Sequence, residues 1–258
     1  MLLFFFVFCL LAAVISVYIG KEKVFYLGDG IIHSSAIFVL AGSFIANANA
    51  NFLLMMLYCI FVSGFLMLIK DSEDKTASLC LFAYFSLVVA SFITQFTQSI
   101  DVHDLIESYF LGSNQHARLP VIVMSAIFCL LFVAMFIDNI LEKPSKAKIL
   151  HSKPINFMIN FLISFSILIM SKEVGFLMTS CFTVAPFVFG RFFTNCNKRT
   201  FLIGLILNLS SLVVGIVIAD YKNLLPNITI CFAMFVIFSF GLLIKGATLI
   251  GCRECKNS

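Results

Sequence analysis

Phe201-Leu-Ile-Gly-Leu-Ile-Leu-Asn-Leu-Ser-Ser-Leu-Val-Val-Gly-Ile-Val-Ile-Ala219 runs for nineteen residues without a charged side chain. A helix rises about 1.5 Å per residue, so this run reaches across most of the roughly 30 Å hydrocarbon core of a bilayer. It lacks the two-residue alternation of a barrel strand, which leaves a helix as the form that satisfies its backbone hydrogen bonds in lipid. Eight more segments share this character: Leu2 to Ile19, Val24 to Ala46, Phe52 to Ile69, Ala77 to Phe96, Leu119 to Ile137, Ile155 to Met170, Val174 to Phe193 and Ile228 to Ile244. The expected fold is an all-α, polytopic membrane helix bundle of about nine transmembrane helices, forming one domain over residues 1–258. Composition agrees. Hydrophobic residues make up 61% of the chain and charged ones 12%, with a mean hydropathy of +1.08, outside the range of a water-soluble globule.

The breaks between segments alternate in charge, and short loops retain lysine and arginine on the cytoplasmic side. One set of breaks holds Lys21, Lys23, Lys70, Lys75, Lys143, Lys146, Lys148, Lys153, Arg191, Lys198, Arg199, Lys245, Arg253 and Lys256; the other holds Arg118, Lys172 and Lys222. This distribution places the N-terminus outside and the C-terminus in the cytoplasm. The first run lacks a basic start and is followed by Lys21 and Lys23, so it reads as a retained span rather than a signal peptide. No basic tract points to nucleic acid.

Cys9, Cys59, Cys80, Cys129, Cys181 and Cys231 fall inside apolar runs, where cysteine acts as a small hydrophobe. Cys252-Arg-Glu-Cys255 has the spacing of half a zinc site or of a redox pair, and equally of a reduced pair without function. Two breaks stand out by length. The outer one, 98–118, carries Asp101, His103, Asp104, Glu107 and His116, which are either a solvated acidic surface or collectors of an arriving cation. The inner one, 138–154, is basic and bounded by Pro144 and Pro154.

Inside the second segment lies Gly28-Asp29-Gly30-Ile31-Ile32-His33-Ser34-Ser35. Asp29 and His33 are four apart and share one helical face. Counting from Lys23, His33 sits roughly 15 Å into the membrane, near its midplane. Ionisable groups at that depth usually face a cavity or pathway. A carboxylate with a neutral imidazole suits Zn²⁺, Mn²⁺ or Fe²⁺. The spacing alone also allows a plainer reading, with Asp29 capping a turn after Gly28 and His33 bonded to a neighbouring span.

These residues resemble a family. Leu27 to Ala36 is similar to the "GDxxxHS" signature in the second helix of the zinc, manganese and iron permeases of binding-protein-dependent ABC importers. Glu73-Asp-Lys-Thr-Ala77 is similar to that family's "EDT" segment, which opens a later helix, and Ser108-Tyr-Phe-Leu-Gly112 to its "YLFG" segment. Lys172-Glu-Val-Gly-Phe-Leu177, with Ala185-Pro186 and Arg191, is similar to its "VVGxLL…P…AR" run. The matches cover most of the chain in order. One departure is His151, which stands where a glycine is usual in the cytoplasmic coupling segment.

The resemblance implies a membrane subunit of the bacterial cytoplasmic membrane that moves zinc, manganese or iron inward and holds no permanent cofactor. It implies a homodimer, an extracytoplasmic metal-binding protein and cytoplasmic ABC ATPase subunits docked on the inner loop through Lys146, Lys148, His151 and Lys153. On charge alone those lysines could equally do no more than fix topology. The chain has no G-x-x-x-x-G-K-[ST] phosphate loop, so the expectation is a transport subunit without its own ATPase site. The rival readings are a permease for iron chelates or cobalamin-like molecules, whose wider pathway needs no protein ligand to the metal, and a gradient-driven metal transporter, which would carry paired ionisable residues on several spans.

Overall fold

Every regular element among the described residues is an α-helix. The computed structural model describes residues 2–21, 27–35, 48–69, 72–96, 123, 125–128, 130–131 and 153–254. Eight helices lie within them: α1 (Leu2–Lys21), α2 (Leu27–Ser34), α3 (Ala48–Leu68), α4 (Ser72–Phe96), α5 (Lys153–Val174), α6 (Phe176–Phe193), α7 (Asn197–Lys222) and α8 (Pro226–Glu254). Four are long and apolar enough to cross a membrane, over Pro154–Val174, Phe176–Phe193, Asn197–Lys222 and Pro226–Lys245. Shorter apolar stretches occupy Phe4–Gly20, Phe52–Leu68 and Thr76–Ser86. The fifth expected span is described only at 123, 125–128, 130 and 131, where it is helical.

Apolar and polar groups are distributed in the opposite sense to a soluble protein. Leu53, Leu57 and Phe61 on α3, Ile206, Val213 and Val217 on α7, and Phe232, Phe235 and Leu243 on α8 are all exposed. Ser63, Ser86, Ser164, Ser166, Thr179, Thr183, Asn208 and Ser211 are fully buried. An apolar surface this extensive suits lipid, and small polar residues between helices are the usual packing material there. Several buried hydroxyls return their hydrogen bond to the preceding helical turn: Ser63 Oγ donates to Cys59 O at 2.6 Å, Thr183 Oγ1 to Thr179 O at 2.9 Å and Ser211 Oγ to Leu207 O at 2.7 Å. These hydroxyls are then satisfied in a medium without water.

Helix α1 is the centre of one half of the bundle. Phe5, Phe8, Cys9, Leu11, Ala12, Ile15 and Ile19 are buried to within a percent or so, as expected of a helix that is apolar all round. It packs on α6 and α7, which also pack on each other and on α8. Asn208 Nδ2 donates to Cys9 O at 3.2 Å, Ser16 Oγ accepts from the Phe187 backbone N–H at 2.8 Å, and Tyr18 Oη donates to Asn160 Oδ1 at 3.0 Å. The Ser16 bond falls one residue after Pro186, which lies inside α6. A proline removes one donor and crowds the carbonyl one turn earlier, so a neighbour's hydroxyl is well placed to serve the adjacent N–H.

Small residues on α7 permit close helix approach. A Cβ on Gly204 would lie 2.8 Å from Pro186 Cβ, and one on Gly215 would meet Ile230. At the junction of α6 and α7, Arg191 donates to Asn195 O and Asn197 Oδ1 and lies 5.0 Å over the Phe187 ring. Helix α7 ends at Asn223 in the left-handed region (φ 51°), and Pro226 opens α8, both ordinary stop and start signals.

Two boundaries differ from the sequence reading. Ser171-Lys172-Glu173, read as a polar break, is the last turn of α5; the connection to α6 is Gly175 alone, at φ 86°. A lysine near a helix C-terminus opposes the helix dipole, so the charge does not end the helix. Helix α8 continues past Ile244 to Glu254, because loss of apolarity marks where lipid ends and not where helix ends.

Gly215→Leu forces a side chain into the α8 backbone and is expected to destabilise the chain by about 1–3 kcal/mol. The check is an earlier thermal unfolding midpoint of the detergent-solubilised protein. Gly64→Ala, whose added Cβ meets nothing within 4 Å, leaves that midpoint unchanged or slightly raised.

Candidate metal pathway

Helix α2 is placed by a glycine and three hydroxyls. A Cβ on Gly30 would stand 2.9 Å from Leu79 Cβ, so the missing side chain lets α2 lie directly on α4. The last carbonyls of a helix have no partner within it. Here Tyr58 Oη of α3 donates to Ile31 O at 2.6 Å, Ser34 Oγ bonds Gly30 O at 2.5 Å and the Tyr58 hydroxyl, and Ser86 Oγ of α4 donates to Ser34 O at 2.7 Å. Tyr58, Ser34 and Ser86 are each 0% exposed. The C-terminal end of α2 is therefore fixed against two other helices by hydrogen bonds shielded from water.

That anchor orients Asp29 and His33. They occupy the first and last turns of α2, and both are half-buried. Asp29 Oδ1 and His33 Nδ1 are buried atoms with no hydrogen-bond partner among the described residues. The plainer expectation for this pair, a capping carboxylate and an imidazole bonded to a neighbouring span, finds no partner at either of these atoms. The imidazole instead packs against the Phe176 ring, with centroids 4.6 Å apart and planes at 51°. Phe176 is the first residue of α6. His33 thus stands beside the Gly175 end of that helix.

Glu173, quoted in the sequence only as part of a motif, is 7% exposed, with Oε2 unpartnered among the described residues. Nothing in its local sequence separates it from an exposed loop carboxylate; burial comes from α5 continuing through it. Among the described residues no three of the His, Cys, Asp and Glu side chains stand close enough together to enclose a metal ion. Asp29 and His33 are the two candidate donors that α2 carries one turn apart on the same helix.

The other sequence candidates are placed only in part. Asp101, His103, Asp104, Glu107 and His116 lie outside the described residues, as do Lys146, Lys148, His151 and Cys255. Lys153 opens α5, Cys252 lies in the last turns of α8, and Glu73 to Ala77 lie in the first turns of α4.

With this geometry established, comparison with known proteins decides the family. The model of the ABC 3 transport family matches residues 2–244. The chain belongs to the ABC 3 transport family. Its fold is similar to that of a chain in the structure of PsaBC from Streptococcus pneumoniae in complex with Fab, with a TM-score of 0.70 and 14% sequence identity, covering 93% of this chain and 88% of that one. No curated protein sequence matches it. Membership bears out the resemblance to the metal permeases of ABC importers carried by Leu27–Ala36 and the segments after it. An ABC 3 member is a multi-pass membrane subunit, and its transport work draws on an ATPase other than itself.

Removing one anchor should loosen α2 without touching either titratable group. Tyr58→Phe deletes one of the bonds to Ile31 O, which keeps the Ser35 backbone N–H at 3.0 Å, and a cost of about 0.5–1.5 kcal/mol is expected for the lost hydrogen bond. Thermal unfolding of the purified chain, together with faster amide exchange confined to α2, measures it.

Proposed function

We propose that this chain is the membrane-spanning subunit of an ABC importer that carries a divalent transition metal, zinc or manganese, into the cytoplasm, and that Asp29 and His33 line the route. The observation that carries the reading is the pair itself: a carboxylate and an imidazole on one face of α2, each with a buried atom that no described residue satisfies. Leaving such groups unpaired is costly. A transiting cation repays the cost to both at once, because carboxylate oxygen and imidazole nitrogen are ordinary donors for these metals.

The rest of the reading follows from charge distribution and family. Lysine-rich breaks put the C-terminus in the cytoplasm and the Gly175 end of α6 outside, so the pair lies toward the outer mouth. The acidic segment 98–118, with Asp101, His103, Asp104, Glu107 and His116, raises the local cation concentration there and receives metal from an extracytoplasmic binding protein. The basic segment 138–154, with Lys146, Lys148, His151 and Lys153, docks the cytoplasmic ATPase. Two copies of the chain enclose the pathway, and the assembly sits in the bacterial cytoplasmic membrane. A donor must be deprotonated to hold metal, so a proton taken up by His33, or any motion that separates it from Asp29, releases the ion. With two donors and no third among the described residues, release is favoured, since conduction requires a site tight enough to enter and loose enough to leave.

Asp29→Ala and His33→Ala variants that reach the membrane in normal amounts are expected to lose uptake of radiolabelled zinc or manganese by about tenfold or more, the scale of losing one good metal donor. Normal uptake in both would remove the pair from the route.

A further inference from the structure

The sequence assigns Cys181 and Cys231 to two apolar runs fifty residues apart, where each reads as packing. In the fold they meet. Phe189 of α6 packs on Phe238 of α8, with ring centroids 5.6 Å apart, and lies against Gly241; about two turns earlier in each helix Cys181 and Cys231 stand at one level, near enough for their thiols to interact, with Asp29 near enough for its charge to reach Cys181. Both cysteines are free thiols, neither fully buried nor fully exposed. Helix direction explains the meeting. His33 touches Phe176 at the start of α6, and Asp29 is one turn earlier in α2 while Cys181 is a little over one turn later in α6, so the two helices run in opposite senses past each other. Met178, one turn before Cys181, and Met234, one turn after Cys231, are both buried, which adds polarizable sulfur to the same stretch of each helix.

We propose that Cys181 and Cys231 form a second station for a thiophilic divalent cation, next after Asp29 on the route, and that this station biases the permease toward zinc over manganese. The inference rests on the transport reading for its place in a route, but not for the existence of the site. Thiolate sulfur favours zinc and its heavier congeners, whereas manganese prefers oxygen. On binding, one M²⁺ replaces two thiol protons, giving a neutral bis-thiolate and two protons released to water or to Asp29, so charge balances without an oxidant. Two thiolates leave the metal's remaining positions open, which suits a station in transit better than a closed four-ligand site.

Two measurements test it on the full chain. In membranes containing the permease and its ATPase, Cys181→Ser/Cys231→Ser should lower the ratio of radiolabelled zinc uptake to manganese uptake by about tenfold, with manganese uptake held within about twofold, as loss of soft donors alone requires. In purified wild-type permease, added Cd²⁺ should give the ultraviolet thiolate-to-cadmium charge-transfer band, and the double variant should lose it. An unchanged zinc-to-manganese ratio, a parallel fall in both metals, or a cadmium band that survives in the double variant would overturn the proposal. If the wild-type complex moves neither metal while the band still depends on these two cysteines, the transport reading falls and the thiol site stands.

Discussion

The end of α2 is held by hydroxyls rather than by water, and the candidate pathway depends on that constraint. In a bilayer interior, each carbonyl left over at a helix terminus needs a partner supplied by the protein. Ser86 supplies one to Ser34 O, and Tyr58 and Ser34 add bonds to Ile31 O and Gly30 O. Gly30 adds the close approach to α4 that brings Ser86 within reach. With backbone and register fixed in this way, Asp29 and His33 have little freedom to turn toward another partner. Among the described residues Asp29 Oδ1 and His33 Nδ1 have no hydrogen-bond partner, and the occupant proposed for them is a transiting cation.

The same rule, applied to the whole bundle, accounts for its inverted polarity. Many serines and threonines sit inside, several of them bonded to their own helices, while many of the leucines, isoleucines and phenylalanines of α3, α7 and α8 face outward. Glycines at 204 and 215 allow backbone to approach side chain across α6, α7 and α8. Association then comes from close packing and a few buried hydrogen bonds, because lipid offers no hydrophobic drive between helices. Helix α1, tied to α5, α6 and α7 by Tyr18, Ser16 and Asn208, joins these contacts into one core. The Ser16 bond beside Pro186 shows how an irregular backbone position survives in such a medium.

Much of this was legible in the residues. The apolar runs Ala77–Phe96, Ile155–Met170, Phe201–Ala219 and Ile228–Ile244 each fall inside a helix, and Phe52–Ile69 does so up to its last residue, since apolar length is a local property. Lys172 and Glu173 misled because polarity marks a membrane edge and a helix end alike, and only Gly175 with its positive φ marks the turn. Asp29 and His33 were legible because four residues on a helix define one face. Tyr58, Ser86 and Phe176 were not, since nothing local to them records which helix they will meet. The pairing of Cys181 with Cys231 is of the same kind: two separate cysteines in apolar runs carry no sign of each other until tertiary packing brings them together.

Manganese is invisible to thiols and reports oxygen and nitrogen donors by its paramagnetism, so an electron paramagnetic resonance titration of the purified full chain with Mn²⁺ isolates the Asp29 and His33 pair from the nine cysteines. A saturable loss of the hydrated-ion signal in the wild type, absent in Asp29→Asn and in His33→Ala proteins of unchanged thermal stability, is the predicted result. Equal binding by all three proteins would contradict the claim that this buried pair faces a passing cation.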